Sequence, residues 1–160
     1  MLIRKATADE MLRLWGYQNV NHASPTAKFF YQNISSGNAV FWTLDHNGEL
    51  IGELYAFLNI ADDKDFADGS TTAYLCAFRV KKEYRGQGLG SKMMNTVLAD
   101  LKSVGFRYAT IGVSEERNKK LYNHLGFTKK VKDCYIDPCA MNESMMPVQD
   151  EGYCLLLKSL

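Results

Sequence analysis

Arg85-Gly86-Gln87-Gly88-Leu89-Gly90 joins an apolar, strand-like run (residues 73–80) to a strong helical pattern (residues 91–104). Glycine at every second position of a strand-to-helix turn leaves the backbone bare where a helix begins. The N–H groups of a first helical turn have no intrahelical partners, and the helix dipole adds to their pull on an anion. Glycine also lets a bulky pyrophosphate approach the main chain without Cβ contacts. The stretch therefore predicts an α/β arrangement with a phosphorylated cofactor at the turn.

Two common phosphate motifs do not fit. A dinucleotide fingerprint spaces its glycines G-x-G-x-x-G, whereas these run G-x-G-x-G. A P-loop ends in Gly-Lys-Ser/Thr, and no Lys-Ser/Thr pair closes these glycines. Both motifs also end the first strand of a βαβ unit, and this turn lies in mid-chain.

Outward from the turn, the elements read in sequence. Residues 2–6 suit a short strand. Thr7 and Glu10 form a capping box ahead of an apolar face of Met11, Leu12, Leu14 and Trp15. Ser24-Pro25 starts a second helix, which carries Phe29, Phe30 and Ile34 and ends at Gly37. Strands over 40–44 and 50–57 meet at Asn47-Gly48, a strong hairpin signal. The acidic stretch 62–69 lacks the spacing of a calcium loop and reads as a solvated connection. After the glycine turn, a helix presents Leu89, Met93, Met94, Val97, Leu98 and Leu101 on one broad face. A central strand over 108–113, a short helix over 117–125 and strands over 127–135 and 153–157 complete the chain. Between those last strands, residues 136–150 read as an apolar connection with Met141, Met145 and Met146. Such a segment suits a cover for a substrate cleft, a homodimer contact or a plain ordered loop.

The 160 residues suffice for one core and predict a single domain over 1–160. A formal net charge of +1 lacks the basic excess of a nucleic-acid binder. No apolar run is long enough for a membrane span, and the start lacks a signal-peptide core. Cys76, Cys134, Cys139 and Cys154 show no metal or disulfide spacing, so a cytoplasmic location, reduced thiols and no bound metal are expected. Cys76 reads as a core residue, because no histidine lies near it in sequence to activate it.

Val80-x-x-x-x-Arg85-Gly86-x-Gly88-x-Gly90 resembles the R/Q-x-x-G-x-G/A signature of the GNAT N-acetyltransferases. Asn118-x-x-Leu121-Tyr122-x-x-Leu125-Gly126-Phe127 is similar to that family's second signature. The resemblance covers most of residues 2–127 and weakens beyond. It implies a mixed, mostly antiparallel sheet flanked by helices. The strands before and after the glycine turn would run parallel and splay apart around a pantetheine arm. It also implies acetyl-coenzyme A as cosubstrate and a primary amine, of a small molecule or peptide, as acceptor.

Acetyl transfer needs a held thioester, a polarised carbonyl, a neutral amine and a proton for the leaving thiolate. Arg85, Gly86, Gln87, Gly88, Leu89 and Gly90 are the expected pyrophosphate holders, mainly through backbone N–H groups. The backbone of Phe78, Arg79 and Val80 can pair with pantetheine amides as an added strand, and one N–H there can face the developing oxyanion. The resemblance gives Tyr122 the general-acid role; a phenol near pKa ~10 stays protonated beside a thiol near ~8.5. Asn118 is expected on the pantetheine arm. The strand before the turn lacks the glutamate that many family members use as base. Glu53 on the neighbouring strand is the substitute, with Glu115, Glu116, His22 and His124 behind it. Trp15, Tyr17, Phe29 and Tyr31 can complete an apolar acceptor pocket or belong to the core. The competing reading is a sensor that binds the coenzyme and has lost the transfer chemistry.

Overall fold

The computed structural model describes all of residues 1–160. Its strands are β1 (Leu2–Ala6), β2 (Ala39–His46), β3 (Glu49–Phe57), β4 (Thr72–Val80), β5 (Tyr108–Val113), β6 (Lys129–Met141) and β7 (Pro147–Ser159). Its helices are α1 (Ala8–Leu14), α2 (Pro25–Ser35), α3 (Leu89–Ser103) and α4 (Glu116–His124). One seven-stranded sheet runs in the order β1-β2-β3-β4-β5-β7-β6. Only β4 and β5 are parallel; every other neighbouring pair is antiparallel. This is the mixed sheet the motifs imply.

Local chemistry accounts for the element boundaries. Thr7 Oγ1 accepts from the Glu10 N–H at 3.2 Å while Glu10 reaches back to the Thr7 N–H at 3.0 Å, closing the capping box of α1. Ser24 caps α2 ahead of Pro25. Asn47 and Gly48 both take positive φ (53° and 91°), the twist that a two-residue hairpin demands.

Alternation along the strands sorts side chains to two cores. Trp42, Leu54 and Leu75 face α3, whose Met93, Met94, Val97, Leu98 and Leu101 complete one cluster. Phe41, Tyr55 and Tyr74 face the opposite side with Met11, Leu12, Ala27 and Phe30 of α1 and α2. The predicted helix faces are thus the buried ones.

Two sequence expectations need correction. Residues 136–150 do not form a long connection. β6 continues to Met141 and β7 starts at Pro147, leaving a turn of 142–146. Register shifts after Lys130, Cys134 and Asp137 break the alternation, and Pro138 sits in the last of them. A bulged strand carrying proline conceals the period-two signal. The 62–69 stretch is also more than a solvated connection. Phe66 and Ala67 are buried in it, and Lys132 of β6 pins it through Asp63 and Asp65. Asp68 ends it by accepting from the N–H groups of Ser70, Thr71 and Thr72.

Arg4 ties β1 to α1 and to the β2–β3 turn, bonding Glu10 at 2.6 Å and Asp45 at 3.0 Å. The Arg4 hydrogen bond, with help from the Thr7 N–H, holds the Glu10 carboxyl down at about 2 from its usual 4.5. A carboxyl lowered by folding contributes stability above its unfolded pKa and loses it as pH falls through the folded value. The urea midpoint should therefore decline as pH falls from about 4.5 toward 2. The Glu10→Gln variant should show a shallower decline; identical slopes in the two proteins would remove Glu10 from this account.

Candidate functional site

The site is organised by an interruption in β4. Its pairing with β5 runs from Thr72↔Tyr108 to Leu75↔Ile111 and then stops. On the other side, the register against β3 shifts between Glu53↔Arg79 and Tyr55↔Cys76, so β4 carries one extra residue there. Ala77 within this bulge has φ +52°, a left-handed conformation that costs a non-glycine residue about 1 kcal/mol. The bulge turns the end of β4 away from β5 and opens a gap between two parallel strands.

Two cavities meet in that gap. One, of about 350 Å³, is bounded by Phe78, Arg79 and Val80 of β4, the glycine turn, and Asn118, Leu121 and Tyr122 of α4. The other, of about 310 Å³, lies between β4, β5, the α1 and α2 helices, and the bulged end of β6. Phe78, Arg79 and Tyr122 wall both. The residues expected from the sequence at positions 78–80, 85, 86, 88–90, 118 and 122 are thereby brought together around one groove. Gln87 is exposed and outside its walls, leaving only its peptide to the turn.

The turn is shaped for close approach. Gly86 and Gly88 take φ +80° and +77°, and a Cβ on either would meet no protein atom within 4 Å. Gly88 is the N-cap of α3 and supplies no side chain to the first-turn N–H groups. Those donors face outward unclaimed by the protein's own caps. Gly90 has a different reason: a Cβ there would lie 3.1 Å from Phe78 Cζ. Arg85 Nε donates to the Val80 carbonyl at 2.7 Å and fastens the turn to the end of β4.

Tyr122 is half-buried against Phe78 and Phe127, with ring centroids 6.4 and 6.2 Å away. Burial raises its phenol above the usual value, so it stays protonated at neutral pH. Its place at the junction of the two cavities matches a donor to a group formed between them.

Glu53 is placed differently from expectation. It is only 8% exposed and lines neither cavity. Its Oε1 accepts from Trp15 Nε1 at 2.8 Å and from the Tyr55 hydroxyl at 2.7 Å. Its Oε2 lies 3.8 Å from Arg79 Nε, and the Arg79 guanidinium sits 5.8 Å from the Trp15 ring centroid. Burial and the adjoining Glu53 charge push the Tyr55 phenol well above its ordinary range. Glu53 thus positions Trp15, Tyr55 and Arg79 behind the cavity wall.

Of the aromatic residues expected around an acceptor, Trp15 lines the smaller cavity together with Phe30. Phe29 instead stacks on Phe57 and faces a separate groove. Tyr31 donates to Asp9 at 3.3 Å, and Tyr17 lines neither cavity of the gap. Cys76 is not sealed in the core; it lines the smaller cavity opposite Cys139 of β6. Glu115 and Glu116 border a third depression beside Tyr153, and His22 and His124 are exposed. Sequence reasoning missed Tyr74 and Asp137, both in the smaller cavity's wall. Asp137 lay in the stretch read as a loop, and Tyr74 looked like an ordinary strand aromatic.

The Glu53 network yields a test. Glu53→Gln keeps an acceptor for Trp15 and Tyr55 and should cost little stability. Glu53→Leu strands the buried Tyr55 hydroxyl, at about 1–3 kcal/mol, and removes the partner of the half-buried Trp15 indole, so its melting temperature should fall well below that of Glu53→Gln. Equal melting temperatures would show that the buried acceptor does not hold this wall.

Comparison with known proteins agrees with this geometry. A sequence profile of the Acetyltransferase (GNAT) family matches residues 6–127. Among solved structures, the chain is similar to a GNAT family acetyltransferase from Elizabethkingia anophelis with acetyl-CoA bound (TM-score 0.63, 18% identity, 99% of this chain and 97% of that one). It is likewise similar to Arabidopsis thaliana NAA60 in complex with acetyl-CoA (TM-score 0.66, 17% identity, 99% and 98%). A third is an aminoglycoside 6'-N-acetyltransferase complexed with coenzyme A (TM-score 0.66, 14% identity, 99% and 97%). No curated protein matches the chain. With more than half of its length matched and the splayed β4–β5 pair in place, the chain belongs to the GNAT acetyltransferase family.

Proposed function

We propose that this protein transfers an acetyl group from acetyl-coenzyme A directly to a primary amine of a small molecule or peptide, without a covalent enzyme intermediate. The observation that carries this reading is the gap beside the β4 bulge, where the two cavities share Phe78, Arg79 and Tyr122. A donor held in one cavity and an acceptor in the other would meet at that shared wall. Effective concentration then supplies much of the rate.

The groove fits the coenzyme. The bare N-terminus of α3 and the open faces of Gly86 and Gly88 suit a pyrophosphate. The coenzyme brings the acetyl group as a thioester. The protein's part is to hold, polarise and move protons. Backbone N–H groups of 78–80 suit the pantetheine amides and the oxyanion that develops on the acetyl carbonyl, help typically worth ~3 kcal/mol. Asn118 borders the same groove and can bond the arm. Tyr122 donates its phenolic proton to the departing thiolate. Four unpaired cysteines support a cytoplasmic setting.

Thiol release from acetyl-coenzyme A across a panel of amines and peptides, with mass detection of acetylated product, tests the reading. Release that depends on the amine is expected; coenzyme binding with no product from any acceptor would favour a sensor and overturn it. Gly88→Val should weaken coenzyme binding by more than about tenfold. A Cβ there meets no protein atom, but the left-handed φ strains any side chain, a β-branched one most. Gly88→Val should therefore lose at least about 1–2 kcal/mol of stability, and Gly88→Ala, read beside it, separates strain of the turn from crowding of the ligand. Unchanged affinity in calorimetry would remove the turn from the site. Tyr122→Phe should lower kcat by roughly 10²- to 10⁴-fold with little change in coenzyme affinity. Turnover within a factor of two of the parent would reduce Tyr122 to packing.

A further inference from the structure

The smaller cavity carries one charge that the protein leaves unpaired. Its only ionisable side chains of full charge at neutral pH are Arg79 and Asp137. Arg79 is engaged, beside the Glu53 carboxylate and over Trp15. Asp137 has no cationic partner. Its Oδ1 accepts from the Cys139 N–H at 3.0 Å, and its other oxygen is unclaimed by any protein donor. A second group points the same way. Tyr74 is only 6% exposed and lines the same cavity, its hydroxyl open to that space rather than sealed without a partner. A carboxylate oxygen and a phenol facing one cavity suit a ligand bearing N–H donors.

The fold places them there deliberately. Tyr74 stands on β4 just before the pairing with β5 ends, near Gly112, where any side chain would collide with Tyr153. Asp137 is presented by the β6 bulge, whose preceding Ile136 carbonyl accepts from the Tyr153 hydroxyl at 2.6 Å. Neither Asp137 nor Tyr74 borders the coenzyme groove, whose wall shared with this cavity is Phe78, Arg79 and Tyr122. The anion therefore stands off that shared wall and suits a second cationic group of the acceptor.

We propose that Asp137 and Tyr74 form a cation-recognition subsite, so that the preferred acceptor carries a positive charge in addition to the amine that is acetylated. Diamines and other basic amines fit this description; amines bearing a carboxylate at the far end do not. The subsite rests on the acetyl-transfer reading for its cavity being the acceptor's.

Two probes of equal chain length and opposite distal charge decide it: 1,6-diaminohexane and 6-aminohexanoate. Calorimetry on the protein saturated with coenzyme A should show the diamine binding roughly ten- to a hundredfold tighter, the ratio given by one charge-assisted hydrogen bond. Asp137→Asn retains the acceptor for the Cys139 N–H and should abolish most of that ratio while leaving coenzyme affinity unchanged. Tyr74→Phe should weaken diamine binding without affecting 6-aminohexanoate. Equal binding of the two probes, binding of neither, or an unchanged ratio in Asp137→Asn would overturn the subsite. The parent protein's ratio decides alone if the variant fails to fold. Acetylation is read separately by thiol release. A retained binding preference with no release sinks acetyl transfer and leaves the cation subsite standing.

Discussion

Strand β4 cannot stay paired on both sides through Ala77. Its bulge against β3 and its parting from β5 are one event, and the left-handed Ala77 is its local cost. A regular sheet would have filled this position with cross-strand hydrogen bonds and closed the gap. The bulge instead leaves the β5-facing side of residues 78–80 without a strand partner, while Arg79 and Val80 stay paired with β3, and aims the chain toward the glycine turn. The strain of about 1 kcal/mol is small against the burial on both sides. Leu75 is packed into one core and Tyr74 into the other immediately before it. The gap is therefore set by the path of the β4 backbone itself.

What surrounds the gap divides by origin. The coenzyme-side groove comes chiefly from one continuous piece of chain, 78–91, closed by one face of α4. The other cavity draws on α1, α2, β4, β5, α4 and β6, segments far apart in sequence. This division explains what was legible. A continuous piece must carry its chemistry as a short motif, and the spacing of Gly86, Gly88 and Gly90 displays it. The capping residues Thr7 and Ser24 and the Asn47-Gly48 turn are equally local, and the elements they bound appear where expected.

The illegible parts share the opposite character. The β4 bulge leaves no mark in the Ala73-to-Val80 run, because its cause is the competition between two neighbouring strands. Asp137 was hidden by three register shifts and a proline, which made half of β6 resemble a loop. Glu53 looked like a free carboxylate on a strand. Only the approach of Trp15, thirty-eight positions away, and of Tyr55 shows that its first oxygen is already committed. Each of these depends on contacts between distant residues, which periodicity and spacing do not encode.

The same division constrains how the protein can be selective. With the coenzyme placed as proposed, substitutions at the glycine turn bear on a groove whose contacts there are largely backbone, and so on coenzyme affinity, whereas Tyr122 of α4 bears on turnover. Substitutions in the second cavity act through side chains. Trp15 is set there by Glu53, Phe30 by the aromatic cluster with Tyr55 and Phe57, and Asp137 by the bulged end of β6. Because Glu53 and Arg79 offset each other, altering Asp137 changes the cavity's net charge by a full unit without disturbing that pair. The proposed acceptor side can thus change at β6 without touching Tyr122 or the glycine turn, and β6 and β7 lie beyond the matched family region, which ends at residue 127.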